Sequence, residues 1–227
     1  MVVGDRDDGR NGQSGGRTGY ASSLPGDPPL AESSVVGERP LGRKNETKAT
    51  RAIIVMGVSG CGKSTLAAAL GEQLDCSFFE GDSYHSEANV AKMRSGQPLT
   101  DADRWPWLDR LGEAIGKAVR EEGVAVAACS SLKRAYRDRL RAAVGAPTIF
   151  VLLEVGRAEL VRRLNGRSDH YMPASLIDSQ LAILEPPMAD EQAIVIEPAT
   201  PPGREVEQVS QWLAANAPDA ERLVKAG

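Results

Sequence analysis

Residues 51–65 read RAIIVMGVSGCGKST, and no other stretch narrows the possible fold so far. The apolar run Ile53-Ile54-Val55-Met56 has the continuous hydrophobicity of a strand buried on both faces of a parallel sheet. It empties directly into Gly57-Val58-Ser59-Gly60-Cys61-Gly62-Lys63-Ser64, which satisfies G-x-x-x-x-G-K-[ST] at each fixed position. Such a glycine-rich turn lets successive backbone N–H groups face inward at phosphate oxygens, and a helix opening near Lys63 adds the positive end of its dipole. The segment from Gly57 to Thr65 is therefore a candidate nucleotide cradle, formed by Gly57, Val58, Ser59, Gly60, Cys61, Gly62, Lys63, Ser64 and Thr65. Lys63 is expected on the β- and γ-phosphates of a nucleoside triphosphate, and the Ser64 hydroxyl on Mg²⁺.

The rest of the chain bounds this reading. Its 227 residues suffice for one α/β domain and a tail. A net charge of −4 argues against a nucleic-acid partner, which would call for a basic face. Cys61, Cys76 and Cys129 form neither a disulfide framework nor a zinc pattern, and point to a reducing, cytoplasmic setting. No apolar run is long enough for a bilayer, so no membrane association is expected. Residues 1–50, rich in Gly, Asp, Arg, Ser and Pro, read as a disordered tail, 51–218 as the folded domain and 219–227 as a flexible end.

Downstream, strand and helix patterns alternate. Strands are predicted at 77–79, 124–128, 148–153 and 193–196. Helices are predicted at 63–74, 86–94, from Asp103 as cap to Gly123, from Ser130 onward, at 157–164, from Pro173 to Leu184, and at 205–214. This order points to right-handed βαβ units around a five-stranded parallel sheet flanked by helices, a three-layer α/β arrangement. The polar connection 165–172 has the composition of a small lid.

The second carboxylate helps to separate a motor, a switch and a kinase. The strand 124–128 ends in Cys129-Ser130-Ser131, without the acid that many ATPases place there, and there is no N-K-x-D for guanine. Asp82, delivered by the strand after the phosphate-loop helix, is the nearest substitute. It could hold a water of Mg²⁺, orient an acceptor hydroxyl or accept its proton. Positioning asks least of its basicity, because a loose phosphoryl-transfer transition state needs little base strength.

Longer polar motifs then carry a resemblance. Glu80-Gly81-Asp82-Ser83-Tyr84-His85, Asn89-Val90-Ala91-Lys92-Met93 and the run from Gly96 to Leu108, GQPLTDADRWPWL, are joined by Cys129-Ser130-Ser131-Leu132-Lys133, Tyr136-Arg137-Asp138 and Leu184-Glu185-Pro186. Together they closely resemble the gluconokinase family from about Ile53 to Glu197. Ser86 stands where that family commonly has Pro, and Ser131 where Ala is usual; both read as small, exposed-type changes that remove no group the chemistry needs. The resemblance implies ATP:D-gluconate 6-phosphotransfer with Mg-ATP, on a shikimate-kinase-like fold and usually as a homodimer.

An acyclic polyol acid needs hydroxyl readers and at least one cation. Asp82 and His85 are candidates for the hydroxyls. The available cations are Arg104, Lys133, Arg134 and Arg137, of which Arg104 is chosen for the carboxylate with Lys133 beside it. Arg137 could equally be an ion-paired helix residue, His85 a packed core histidine, and Trp105 and Trp107 hydrophobic walls. Arg163 and Arg167, leading to His170, match the family's R-L-x-x-R-x-x-H lid and would fold over the γ-phosphate. The expected catalytic set is thus Lys63, Asp82, Arg163 and Arg167, with Ser64 and Asp82 toward the metal. Two competing readings stay open: another small-molecule kinase of this architecture (shikimate- or adenylylsulfate-kinase-like), or a nucleotide-binding module with no acceptor.

Overall fold

Alternation along the central strand builds two cores, one on each face of a sheet. In the computed structural model, which describes residues 50–165, 174–197 and 203–216, strand β1 (Arg51–Met56) sends Ile53 and Val55 to one side and Ala52, Ile54 and Met56 to the other. All five of those side chains are fully buried. The continuous apolar run is therefore explained by two covered faces.

The chain continues through α1 (Lys63–Gln73), β2 (Ser77–Glu80), a 3₁₀ turn (Gly81–Tyr84), α2 (Glu87–Arg94), α3 (Asp101–Glu122), β3 (Val124–Ala128) and α4 (Arg134–Val144). It then runs through β4 (Thr148–Leu153), α5 (Arg157–Asn165), α6 (Ala174–Ile183), β5 (Ala193–Ile196) and α7 (Arg204–Ala215). The sheet order is β2-β3-β1-β4-β5 with every pairing parallel. The first core takes Leu66 and Leu70 from α1, Leu160 from α5, Ile177 from α6, and Val209 and Leu213 from α7. The second takes Trp107, Leu108, Leu111 and Ile115 from α3, and Tyr136, Leu140 and Val144 from α4. Each fully buried aliphatic side chain contributes about 1.5–3 kcal/mol of burial free energy, so the two layers hold the sheet strongly. Gly116 allows α3 and α4 to approach closely: a Cβ there would lie 2.3 Å from the Val144 carbonyl oxygen.

Two helix starts differ from the sequence reading. Thr100, not Asp103, caps α3. Its hydroxyl accepts from the Asp103 N–H at 3.2 Å, while the Asp103 carboxylate accepts from the Thr100 N–H at 2.9 Å. This reciprocal capping box satisfies two otherwise orphaned donors, and it leaves Pro106 inside the helix, in the second turn rather than the first that an Asp103 cap would have given it. Helix α4 begins at Arg134 rather than Ser130, because Ser131 sits at φ +43° and the Ser131 and Leu132 carbonyls are turned to the Arg137 guanidinium. Glu185 then caps the delayed start from another part of the chain, its carboxylate accepting from the Arg134 N–H at 2.6 Å.

The register aligns the strand ends that matter. Glu80 pairs with Ala128, and Ala128 pairs with Val55, so Asp82, Ser130 and the loop after Met56 emerge at one edge of the sheet. Parallel sheets hold their ligands at this carboxyl edge.

Candidate active site

The phosphate loop keeps its shape through its own backbone. Gly57 lies at φ +136°, where a Cβ would stand 2.9 Å from the Leu153 carbonyl oxygen, so conformation and space both demand glycine. Its N–H donates to the Ser130 carbonyl at 3.2 Å, pinning the loop to the end of β3. Lys63 folds back along the loop, its Nζ donating to the Val58 carbonyl at 3.0 Å. Ser64 and Thr65 are exposed at the start of α1. Cys61 is buried within the loop, and burial pushes its thiol pKa up. Cys129, buried in the other core just after β3, is pushed up to about 12 for the same reason. Both are neutral thiols at pH 7, a protonation state with little nucleophilic reactivity.

Two further side chains reach this loop. The Ser59 N–H donates at 2.7 Å to the carboxamide oxygen of Gln180 on α6. Arg163 on α5 donates from Nη1 to the Cys61 carbonyl at 3.0 Å and from Nε to Glu159 at 2.7 Å. It thus lies against the loop's backbone, held by a carboxylate on its own helix. Arg167 and His170 lie outside the described residues.

A cleft of about 380 Å³ opens beside the loop and gathers Ser59, Lys63, Asp82, His85, Arg104 and Lys133 on its walls. Five residues picked from distant parts of the sequence, Lys63, Asp82, His85, Arg104 and Lys133, therefore share one space. Asp82 stands in the turn after β2 and is exposed to that space. His85 stacks on Trp107 with ring centroids 4.0 Å apart and planes 19° from parallel. The Trp107 indole in turn donates to the Gly81 carbonyl at 2.7 Å, fixing the wall and the turn that carries Asp82. Desolvation holds the His85 pKa below its ordinary value; the Asp82 carboxylate opposes this and the Arg104 guanidinium adds to it. His85 is accordingly neutral near pH 7 and lies within the fields of both Asp82 and Arg104.

The cleft wall also carries a cluster of charged and hydroxyl groups, Asp101, Arg104, Lys133 and Tyr136. Lys133 Nζ donates to both oxygens of Asp101, at 3.0 and 3.1 Å, and the Tyr136 hydroxyl donates to the same carboxylate at 2.5 Å. These bonds, Tyr136 first, hold the Asp101 pKa below the usual carboxylate range and raise that of Lys133. Arg104 approaches Asp101 at 4.0 Å and is anchored on the Leu99 carbonyl. Both cations lie 5.4 Å from the Tyr136 ring centre, within cation–π range.

The other two candidate cations serve the fold. Arg137 is fully buried against Glu191 at 2.6 Å and ties the loop before α4 to the Glu185 carbonyl at 2.9 Å. Arg134 forms a bidentate pair with Asp190 at 3.0 and 2.6 Å. Ser131 is fully buried rather than exposed, and its hydroxyl has no hydrogen-bond partner among the described residues. Ser86 is exposed and caps α2 by accepting from the Asn89 N–H at 3.3 Å. Sequence reasoning passed over Asp101, Tyr136 and Gln180. The first two stood within quoted motifs, with Tyr136 one helical step after Lys133. Gln180 carried no local signal, being 121 positions from the loop it touches.

No group of three or more His, Cys, Asp or Glu side chains able to hold a metal occurs among the described residues. Hard oxygen donors stand singly instead, Asp82 on the cleft wall and Ser64 exposed at the start of α1. Such a set suits Mg²⁺, which is commonly bound through one or two protein oxygens completed by substrate phosphates and water.

A family model described as an AAA domain matches residues 53–187. The chain is 49% identical over 144 residues to a gluconokinase from Gluconobacter oxydans (strain 621H), covering 63% of this chain and 80% of that one. It is 44% identical over 147 residues to a probable gluconokinase from Schizosaccharomyces pombe, covering 63% and 76%. The crystal structure of a gluconokinase from Sinorhizobium meliloti 1021 superposes with a TM-score of 0.67 at 39% identity, covering 79% of this chain and 99% of that one.

Proposed function

Because the chain belongs to the gluconokinase family of phosphate-loop kinases, we propose that it transfers the γ-phosphoryl group of ATP to the C6 hydroxyl of D-gluconate. The observation that carries this reading is the single cleft in which Lys63 and Asp82 share walls with Arg104 and Lys133. A phosphate loop by itself would serve any nucleotide enzyme. A cleft that adds two cations, a carboxylate and a hydroxyl suits a small polyol acid.

The residues divide the work by position. The N–H groups of the loop and Lys63 hold the β- and γ-phosphates and offset charge as it spreads over the transferring group. Asp82 aligns the acceptor hydroxyl with that group and takes up its proton as the bond to phosphorus forms. Neutral His85, stacked on Trp107, reads an acceptor hydroxyl without adding charge. Arg104 and Lys133 face the acceptor's carboxylate, which sets the chain direction and presents the far hydroxyl to the loop. Arg163 needs only to exchange the Cys61 carbonyl for a phosphate oxygen to act in transfer, and Arg167 would join it from the lid. Ser64 would hold Mg²⁺ and Asp82 one of its waters; the ion would supply charge neutralisation at the phosphates.

The kinase domain is assigned to residues 51–218. We place the enzyme in the cytoplasm as a homodimer, the former because three scattered cysteines make no disulfide framework and suit a reducing compartment. No described helix is long and apolar enough to cross a membrane.

The reading is tested by coupled ADP release with purified protein, Mg-ATP and a panel of acceptors. Gluconate should stimulate turnover at least tenfold over the acceptor-free rate. Turnover independent of gluconate, or preference for shikimate or adenylylsulfate, would reject it.

A further inference from the structure

The acid-reading part of the cleft contains a carboxylate of its own. Asp101 accepts from Lys133 through both oxygens and from Tyr136 through one, and it stands 4.0 Å from Arg104. Tyr136 is otherwise packed by Trp105 edge-on at 5.6 Å, so its hydroxyl is fixed toward Asp101. Asp101 is also the first residue of α3, where the N-terminal dipole favours a negative charge. Lysine, arginine, tyrosine and helix dipole all keep this carboxylate ionised. Two cations and one anion leave the group with one net positive charge.

We propose that Asp101 is a specificity-determining residue: its fixed negative charge offsets one of the two cleft cations, so that the site's preference for an anionic over a neutral acceptor is held at the level of a single positive charge. This inference rests on the kinase reading above, with a polyol acid as acceptor. Without Asp101 the cleft would present Arg104 and Lys133 unopposed to every anion that entered, including the product, which retains the same carboxylate. The ballast thereby trades ground-state affinity for release, in line with the rule that uniform binding of an acceptor group does not raise the chemical rate. Asp101 is 48% exposed, so water screens its field. The expected effect is accordingly about fivefold for one acceptor charge, rather than the hundredfold of a dry site.

The test compares a charged and a neutral ligand of the same skeleton, D-gluconate and D-glucitol, on the full chain. The gluconate KM and the inhibition constant of glucitol against gluconate are measured for the wild type, Asp101→Asn and Asp101→Glu. Asparagine keeps an oxygen for Lys133 and Tyr136 but removes the charge. The preference for gluconate over glucitol should rise about fivefold in Asp101→Asn, and the gain should shrink as ionic strength increases. Asp101→Glu retains the charge and should keep the wild-type ratio even if its turnover falls. An unchanged or reduced ratio in a folded Asp101→Asn protein, with the wild type turning over gluconate normally, would overturn this proposal while leaving the kinase reading intact. A wild type without gluconate-dependent turnover would overturn both.

Discussion

The two functional parts of the cleft are built in opposite ways. At the phosphate loop the polar groups are backbone N–H donors, held by glycine geometry within nine consecutive residues. Around Asp101 they are side chains drawn from α3, α4 and the loop before α4, and two donors and a nearby guanidinium compensate one acid. A backbone cradle is independent of most side chains and serves any phosphate. A side-chain cage depends on distant supports and can be tuned to one acceptor. Replacing support residues should therefore injure the second region more than the first, and replacing Lys63 should do the reverse.

The largest expected effect comes from the supports of the acceptor side. Arg137→Ala leaves buried Glu191 with only the Met188 N–H at 3.1 Å and the Arg141 guanidinium at 3.9 Å, and frees the loop carrying Lys133. It should cost about 3–5 kcal/mol of stability by chemical denaturation, and a change below 1 kcal/mol would show that the loop stands without it. Lys63→Ala should lower kcat by roughly a thousandfold with the thermal midpoint within a degree or two of wild type. A comparable loss of stability would remove the distinction between the two regions. Asp82→Asn should lower kcat by roughly a hundredfold while leaving the KM for ATP within about threefold, since its task is to orient the acceptor; equal changes in both would assign it to nucleotide binding. Arg104→Ala should raise the gluconate KM about tenfold and spare kcat, the loss of one charge-assisted contact.

The smallest effect is a pH dependence. Burial lowers the His85 pKa, so the unfolded chain binds this proton more readily than the folded one between the folded value and about 6.5. Stability should fall as pH drops through that window and be unaffected by this group above it. His85→Gln should flatten that part of the profile, and an unchanged slope would assign the acid sensitivity elsewhere.

How much of this was readable in advance follows the same division. The strand, the glycines, Lys63 and the position of Asp82 are local or set by strand order, and parallel register brings them to one edge. The five-stranded parallel sheet likewise follows from alternating patterns. The start of α4 was not readable, because Ser130 to Lys133 would extend a helix by local pattern but are held open by Arg137, whose partner lies 54 residues on. Ser131 looked exposed for want of any local sign of the burial that surrounds it. Arg137 had two defensible sequence readings, and only the position of Glu191 selects the ion-paired one. Gln180 on the loop and Asp101 between two cations are products of tertiary contact alone.

Transfer to C6 requires one acceptor orientation, with the carboxylate toward Arg104 and Lys133 and the far hydroxyl toward Lys63 and Asp82. The direct measurement is the position of the phosphate in the product of gluconate turnover, read by ³¹P–¹H correlation NMR. Coupling to the C6 methylene protons alone is the predicted result. Phosphate on an internal hydroxyl, or release of inorganic phosphate in place of a phosphoester, would contradict it.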